Sequence, residues 1–420
     1  MDKKIKGSWL IHHTNKLQGV TNQQGYEKTF LAGKAGILLS AISSNNHTTI
    51  SKRRLQTLSQ AASINVTFEL PKLLKVLRSK ELIDTTENDI AVLGVTTSSA
   101  LLHTSDIFDS LTPSANEKAA VELAEKASEE PITEAEASEE LSDLHHLAKT
   151  EINQVIFDSE QIGFVDVEKY GKNEKLLFNG NLFRREETKK IKSVLDSLSS
   201  REQSKLNELT TLLKQKACIP VETAKAMLGE QLFSKVTAIG IFDVNVVSNS
   251  TEEVGFLTLP SAFCKFSSSM VDDAFDLTKA FVSSITYGMT KSHYERGQIQ
   301  MVDALLGALV RGESVGPVRA IAEDYKILEL KGVVKVATGT KKGRTGPLLT
   351  LLKREVGELA LQAIRQGDVS EYSLSSLPTA AVTKFNGPEH NRELTRRKQI
   401  KISPKVTNDM IAALRSGGGF

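Results

Sequence analysis

The stretch VATGTKKGRTGPLLTL, residues 336–351, sets two apolar, β-prone runs around nine residues rich in Gly, Thr, Lys and Arg. A glycine-rich basic segment of this kind is either a phosphate-cradling loop or the tip of a hairpin. A P-loop requires G-x-x-x-x-G-K-[ST], so that backbone N–H groups wrap the phosphates and a Lys reaches the outer ones. Here Gly343 is followed by Arg344 and Thr345, and the residue five places before Gly343 is Thr338. Pro347 spoils an immediate helix, so no helix N-terminus faces the segment. No second acidic motif for Mg²⁺ stands out. The segment reads as a basic loop, TGTKKGRTG, between the strands KGVVKVA and PLLTLL.

Working outward, QIQMVDALLGALVRG reads as a helix upstream of this hairpin, and PVRAIAEDYKILELKG as a second helix leading into it. KREVGELALQAIRQG follows as a helix stopped at Gly367. The same order of elements stands earlier in the chain. KTFLAGKAGILLSAIS and SKRRLQTLSQAA read as helices. FELPKLLKVLRSKELI is a third, with Leu70, Leu73, Leu74 and Leu77 at i, i+3, i+4 and i+7 and Pro71 in its first turn. The strands ELID and IAVLGVT then flank the turn TTEND. In the middle of the chain, SKLNELTTLLKQKACI, VETAKAML and GEQLFSKVTAIG precede the strands IFDVNVV and VGFLTL. DDAFDLTKAFVSSITYG is an amphipathic connecting helix.

Three helices followed by a two-stranded hairpin resemble the winged helix-turn-helix family in element order, without a diagnostic motif. The resemblance implies a mainly α chain with small β-hairpins (α+β), in which two or three winged-helix-like units are joined by helical linkers. The expected divisions are an N-terminal unit at 1–113 and an acidic Ala/Glu-rich linker at 114–150. A central domain at 151–268, a third unit at 269–370 and a basic tail at 371–420 complete the chain.

The chain has 420 residues, 40% hydrophobic and 25% charged, an ordinary soluble composition with room for several domains. Its net charge of +2 conceals an uneven distribution. Residues 114–150 hold ten acids and three bases, and Lys384–Phe420 holds eight bases and three acids. Few large apolar residues punctuate 114–150, which reads as a solvated helical linker or an unstructured one. Cys218 and Cys264 have no partner at metal-ligand spacing, which suggests a reducing compartment and no disulfide framework. No leader-like or membrane-spanning run is evident. A prokaryotic cytoplasmic protein is the expectation.

The candidate contacts are basic. Lys335, Lys341, Lys342 and Arg344 gather on the third hairpin. Lys52, Arg53 and Arg54 open the second helix of the first unit. Lys72, Lys75 and Arg78 lie on its third helix, the element that enters the major groove in helix-turn-helix proteins. Arg396, Arg397 and Lys398 belong to the tail. By contrast, acids mark the first turn (Glu87, Asp89) and the central turn (Glu252, Glu253), and acidic tips repel phosphate. Adjacent histidines, His12–His13 and His145–His146, cannot both face one metal. Asp272 and Asp273 suit a helix N-terminus. No catalytic constellation and no cofactor motif appears. With 5% aromatic residues, none interleaved with the basic clusters, base stacking on single strands is not favoured.

These features point to a non-enzymatic protein that binds double-stranded DNA. It would serve as a transcription regulator or as an accessory subunit of a DNA-processing or defence complex. The alternative is a protein–protein scaffold, since the chain is similar to winged-helix subunits of chromosome-organising complexes in stringing such units along an acidic linker. A partner chain or a homo-oligomer fits either reading.

Overall fold

The computed structural model describes residues 1–20, 24–43, 49–86, 89–171, 174–248, 252–266, 272–292 and 297–369. Among these the chain is mainly helical with small antiparallel sheets, an α+β architecture. It divides into two compact units, each described by itself. Among the described residues the first comprises Met1–Glu125 and Glu134–Asp166, and the second comprises Lys126–Thr133 and residues 167–369.

The first unit begins with α1 (Lys3–Leu17) and α2 (Glu27–Ser43). Asp2 caps α1 by accepting from the Lys4 N–H at 2.8 Å. The helix α2 is buried nearly all round, with Ala32 through Ile42 shielded from solvent. Glycines let its neighbours close in. A Cβ at Gly33 would stand 1.9 Å from Thr14 Oγ1 and 2.6 Å from the Leu10 carbonyl oxygen. Around α2 follow β1 (Thr49–Ser51), α3 (Lys52–Ala61), α4 (Leu70–Ser79), β2 (Ile83–Thr85), β3 (Asp89–Val92) and α5 (Thr97–Ser110). Leu70, Leu73 and Leu77 form the buried stripe of α4. The three strands pair antiparallel in the order β1-β3-β2, with Ile50 opposite Ile90 and Ile83 opposite Val92.

The stretch 114–150 is not a solvated linker. It forms α6 (Ala115–Glu129), the short strand β4 (Ile132–Thr133) and α7 (Glu134–His145), before α8 (Lys149–Ile162). Ala119, Ala120, Leu123, Ala124 and Ala127 are buried. Small side chains substitute here for large apolar ones, because they allow close helix approach. Two acids are drawn inside with them. Glu117 accepts from the Thr29 N–H at 2.8 Å and the Ser114 N–H at 3.0 Å, and Glu125 accepts from Trp9 Nε1 at 2.6 Å. Satisfied acceptors of this kind remove much of the cost of burying a carboxylate.

The second unit continues with β5 (Asp166–Tyr170), β6 (Glu174–Phe178), α9 (Thr188–Asp196) and α10 (Ser200–Lys216). It then forms β7 (Cys218–Pro220), α11 (Val221–Leu228), α12 (Glu230–Ala238), β8 (Asp243–Ser248) and β9 (Glu253–Thr258). Strand order is β7-β9-β8, the arrangement seen in the first unit. After α13 (Pro260–Cys264) and α14 (Asp272–Thr290) come α15 (Val302–Val310), α16 (Ala320–Asp324), α17 (Lys326–Leu330), β10 (Val334–Lys341), β11 (Arg344–Leu351) and α18 (Arg354–Gln366). Here the first strand shrinks to one bridge, Val315 to Leu349.

One hydrophobic core joins Leu209 of α10, Phe281 and Ile285 of α14, Leu349 of β11 and Ala360 of α18. The expected boundary at 268/269 is spanned by this core, and α14 is a core helix rather than a connector. The segment expected as one helix before the third hairpin is two short ones, α16 and α17, broken at Tyr325. The expected nine-residue loop is also absent. Strands β10 and β11 run on to Lys341 and Arg344, leaving Lys342 and Gly343 as the turn with φ of 51° and 73°. Two positive φ values match the type I′ hairpin, and Thr338, Thr340 and Thr345 suit extended backbone despite their polarity. No helix among the described residues is long and apolar enough to cross a membrane.

Candidate nucleic-acid interface

Helices α3 and α4 carry seven cations: Lys52, Arg53, Arg54, Lys72, Lys75, Arg78 and, at the end of α4, Lys80. All seven are exposed. Neither helix contains an acid, and among the described residues none of the seven forms an ion pair. The neighbouring Glu69 is engaged elsewhere, 3.5 Å from Lys34 Nζ and accepting from the Asn65 N–H at 2.6 Å. Ser51 caps α3 through the Arg54 N–H, so Lys52, Arg53 and Arg54 occupy its first turn. Cations are unfavourable there, because the helix dipole presents its positive end. Helix stability does not account for their presence.

Three of the seven converge. Lys52, Lys75 and Arg78 edge an open groove of about 660 Å³ between α3, α4 and the β2–β3 hairpin. Its base is closed by Leu55, Leu70 and Ile90, all buried, while Val66, Pro71 and Leu74 reach toward the opening. No acid lines it. Arg53, Arg54 and Lys72 stand outside the groove on the same helices. Sequence periodicity identified the cations but not the groove, since it assigned Leu74 to the buried stripe.

The third hairpin is less purely a cationic tip than expected. Register places Lys335, Lys341 and Arg344 on one face, with Lys341 opposite Arg344. Lys341 Nζ donates to the Ser314 carbonyl and is half-buried, so it ties the hairpin to the preceding loop. Lys335, Lys342 and Arg344 are exposed, and among the described residues none of them is ion-paired. Gly346 lies against Pro317 on that loop, where an added Cβ would meet Pro317 Cβ at 3.2 Å.

The central module differs. Lys225 is 3.1 Å from Glu230, Lys235 is 3.9 Å from Glu202, and Lys291 is 2.6 Å from Glu222. Glu252, expected as a free acid at the turn, accepts from the Tyr287 hydroxyl at 2.6 Å. Glu87 and the tail cations Arg396, Arg397 and Lys398 lie outside the described residues.

His12 and His13 lie inside the first unit and take no part in a surface site. His13 is fully buried, stacked on Phe164 at 3.7 Å, and neither ring nitrogen has a hydrogen-bond partner. Burial holds its pKa well below the ordinary imidazole value, and burial likewise pushes His12 down to about 3. Among the described residues no group of three His, Cys, Asp or Glu side chains could hold a metal ion. Compared with known proteins, the chain matches no family model and no curated sequence.

Proposed function

We propose that the protein is a non-enzymatic, double-stranded DNA-binding protein built from winged-helix units, acting as a regulator or as a subunit of a DNA-processing assembly. The observation that carries this reading is the set of seven exposed cations on α3 and α4 that have no ion-pair partner among the described residues. In a winged helix these are the two helices nearest the duplex. The repeated succession helix, strand, helix, helix, hairpin, with its β1-β3-β2 strand order, supports the winged-helix reading. Lys342 and Arg344 offer a second, smaller phosphate contact on the third hairpin.

Unpaired surface cations bind phosphate by displacing condensed counterions, so affinity falls with salt by about 0.9 log unit per log unit of salt for each contact. Fluorescence anisotropy of a labelled duplex, titrated at several salt concentrations, tests the reading. Replacing Arg53, Arg54 and Lys72 by Ala is expected to weaken binding and make the salt slope shallower by about 3. Absence of wild-type binding at low salt removes the proposal.

The scaffold alternative has one specific support, the internally ion-paired surface of α11 and α12. That module is suited to a neutral or protein surface rather than to phosphate.

A further inference from the structure

The groove between α3, α4 and the β2–β3 hairpin has a property that phosphate contact leaves unused. Among the described residues its lining is mainly apolar, its edge is basic and no acid borders it. Phosphate oxygens gain nothing from Leu74 or Val66. One wall is the connection leading into α4, and there Phe68 is 72% exposed. That connection is rigidly built. Asn65 Oδ1 accepts from the Thr67 N–H at 2.9 Å and the Phe68 N–H at 3.0 Å, while Glu69 accepts from the Asn65 N–H. An exposed aromatic on a preorganised turn beside an apolar groove is the composition of a protein-docking site.

We propose that this groove docks an amphipathic, acidic α-helix of a partner protein, and that such a helix competes with DNA for Lys52, Lys75 and Arg78. Only the competition rests on the DNA reading; the docking does not. An amphipathic helix presents apolar side chains at i, i+3, i+4 and i+7, the pattern recognised by a groove. Acids flanking that stripe meet the three cations at the edge. The chain's own candidates fit less well. Its tail is rich in bases, which the groove edge repels. The acidic face of α7 offers a second copy only one large exposed apolar side chain, Leu144.

The test uses a fluorescein-labelled helical peptide of about four turns, with leucines at the four stripe positions and glutamates on the flanks. Its binding to the full chain is read by anisotropy, beside duplex binding. Leu74→Asn and Phe68→Ala are expected to weaken the peptide about tenfold or more and to leave DNA affinity unchanged. Phe68 is exposed and Leu74 partly so, and equal thermal stability of the variants confirms that each folds. Lys75→Glu with Arg78→Glu weakens both ligands, Arg53→Ala with Arg54→Ala weakens DNA alone, and unlabelled peptide displaces the duplex.

A peptide with its leucines changed to alanine that binds as tightly as the parent overturns the proposal, since charge alone then suffices. So does absence of peptide binding to a chain that still binds DNA, an outcome that leaves the DNA reading intact. Peptide binding without DNA binding removes the competition and the DNA reading, and leaves the docking groove. Self-association abolished by Leu74→Asn, with no peptide binding, makes the occupant a second copy and overturns the partner-helix assignment.

Discussion

On α3 and α4 seven cations stand without an acidic partner among the described residues. On α11 and α12, which hold the same places in an equally ordered module, Lys225 and Lys235 both face glutamates, at 3.1 and 3.9 Å. The two modules share their succession of elements and their strand order. What they share rests on buried positions: Leu55, Leu73 and Leu77 in one, Ala224, Leu232 and Val236 in the other. Their charges make no comparable contribution to folding, so the surface is free to diverge while the fold stays the same. Repulsion among seven like charges, three of them at an unfavourable helix end, opposes folding slightly. The packing of the fold itself gains nothing from that arrangement.

The largest effect should separate the modules by function. Arg53→Glu, Arg54→Glu and Lys72→Glu together are expected to lower duplex affinity by about 100-fold or more at moderate salt. Lys225→Glu with Lys235→Glu is expected to change it by less than about threefold, as falls to residues outside a phosphate contact. Equal losses from the two sets, measured by the same salt-titrated anisotropy, would break the comparison.

A second contrast lies in the first helix of each module. The helix α2 is buried nearly all round, whereas α10 buries Leu206, Leu209 and Leu213 and leaves Glu208 exposed. Gly33→Ala places a Cβ within 2.6 Å of the Leu10 carbonyl oxygen, which backbone must move to accommodate. Overpacking of this kind costs about 1–3 kcal/mol. Glu208→Ala should stay within about 0.5 kcal/mol of wild type. Chemical denaturation midpoints compare the two, and a neutral Gly33→Ala would refute the tight α1–α2 contact.

How far these regions were legible differs in the same way. The leucine spacing of α4 and α10 is a local signal, so the helix order and both hairpins could be read from periodicity. β1 could not, because Thr49–Ser51 is short and polar and exists as a strand only through pairing with β3. The burial of α6 was hidden for another reason. Its packing surface is alanine, and its acids Glu117 and Glu125 find donors far away in sequence, at Thr29 and Trp9. Among the site residues, Lys52, Lys75 and Arg78 were visible as charges. Their convergence on one groove depends on three elements meeting, which spacing does not encode. The commitment of Lys341 to the Ser314 carbonyl was equally invisible.

Acid should distinguish the two compact units. His12 and His13 belong to the first, and the described residues of the second contain no histidine. Both imidazoles titrate below their ordinary value of 6.5 because burial penalises the charged form. The unfolded chain therefore binds protons that the folded unit does not. Stability is fully present above pH 6.5 and declines as pH falls toward the folded values, at up to about 1.4 kcal/mol per pH unit for each histidine. Thermal unfolding followed between pH 7 and pH 5 should show the first unit losing stability faster than the second. His13→Leu should flatten its decline, and an unchanged slope in that variant would sink the assignment.

The smallest effect carries the sharpest sign. The Lys225–Glu230 pair is exposed, with side-chain accessibilities of 38% and 73%, so solvent screens it. A double-mutant cycle through Lys225→Ala and Glu230→Ala should yield a favourable coupling of at most about 0.5 kcal/mol. On α3 the sign should reverse. Arg53→Ala with Arg54→Ala removes cations from a helix N-terminus, where each is opposed by the dipole, and replaces them with a better helix former. Melting temperature should hold or rise slightly while duplex affinity falls. A stabilising change that weakens binding is the behaviour of residues retained for a ligand rather than for the fold. If the same change instead lowers the melting temperature, those arginines support the helix and the contrast between the two modules loses its basis.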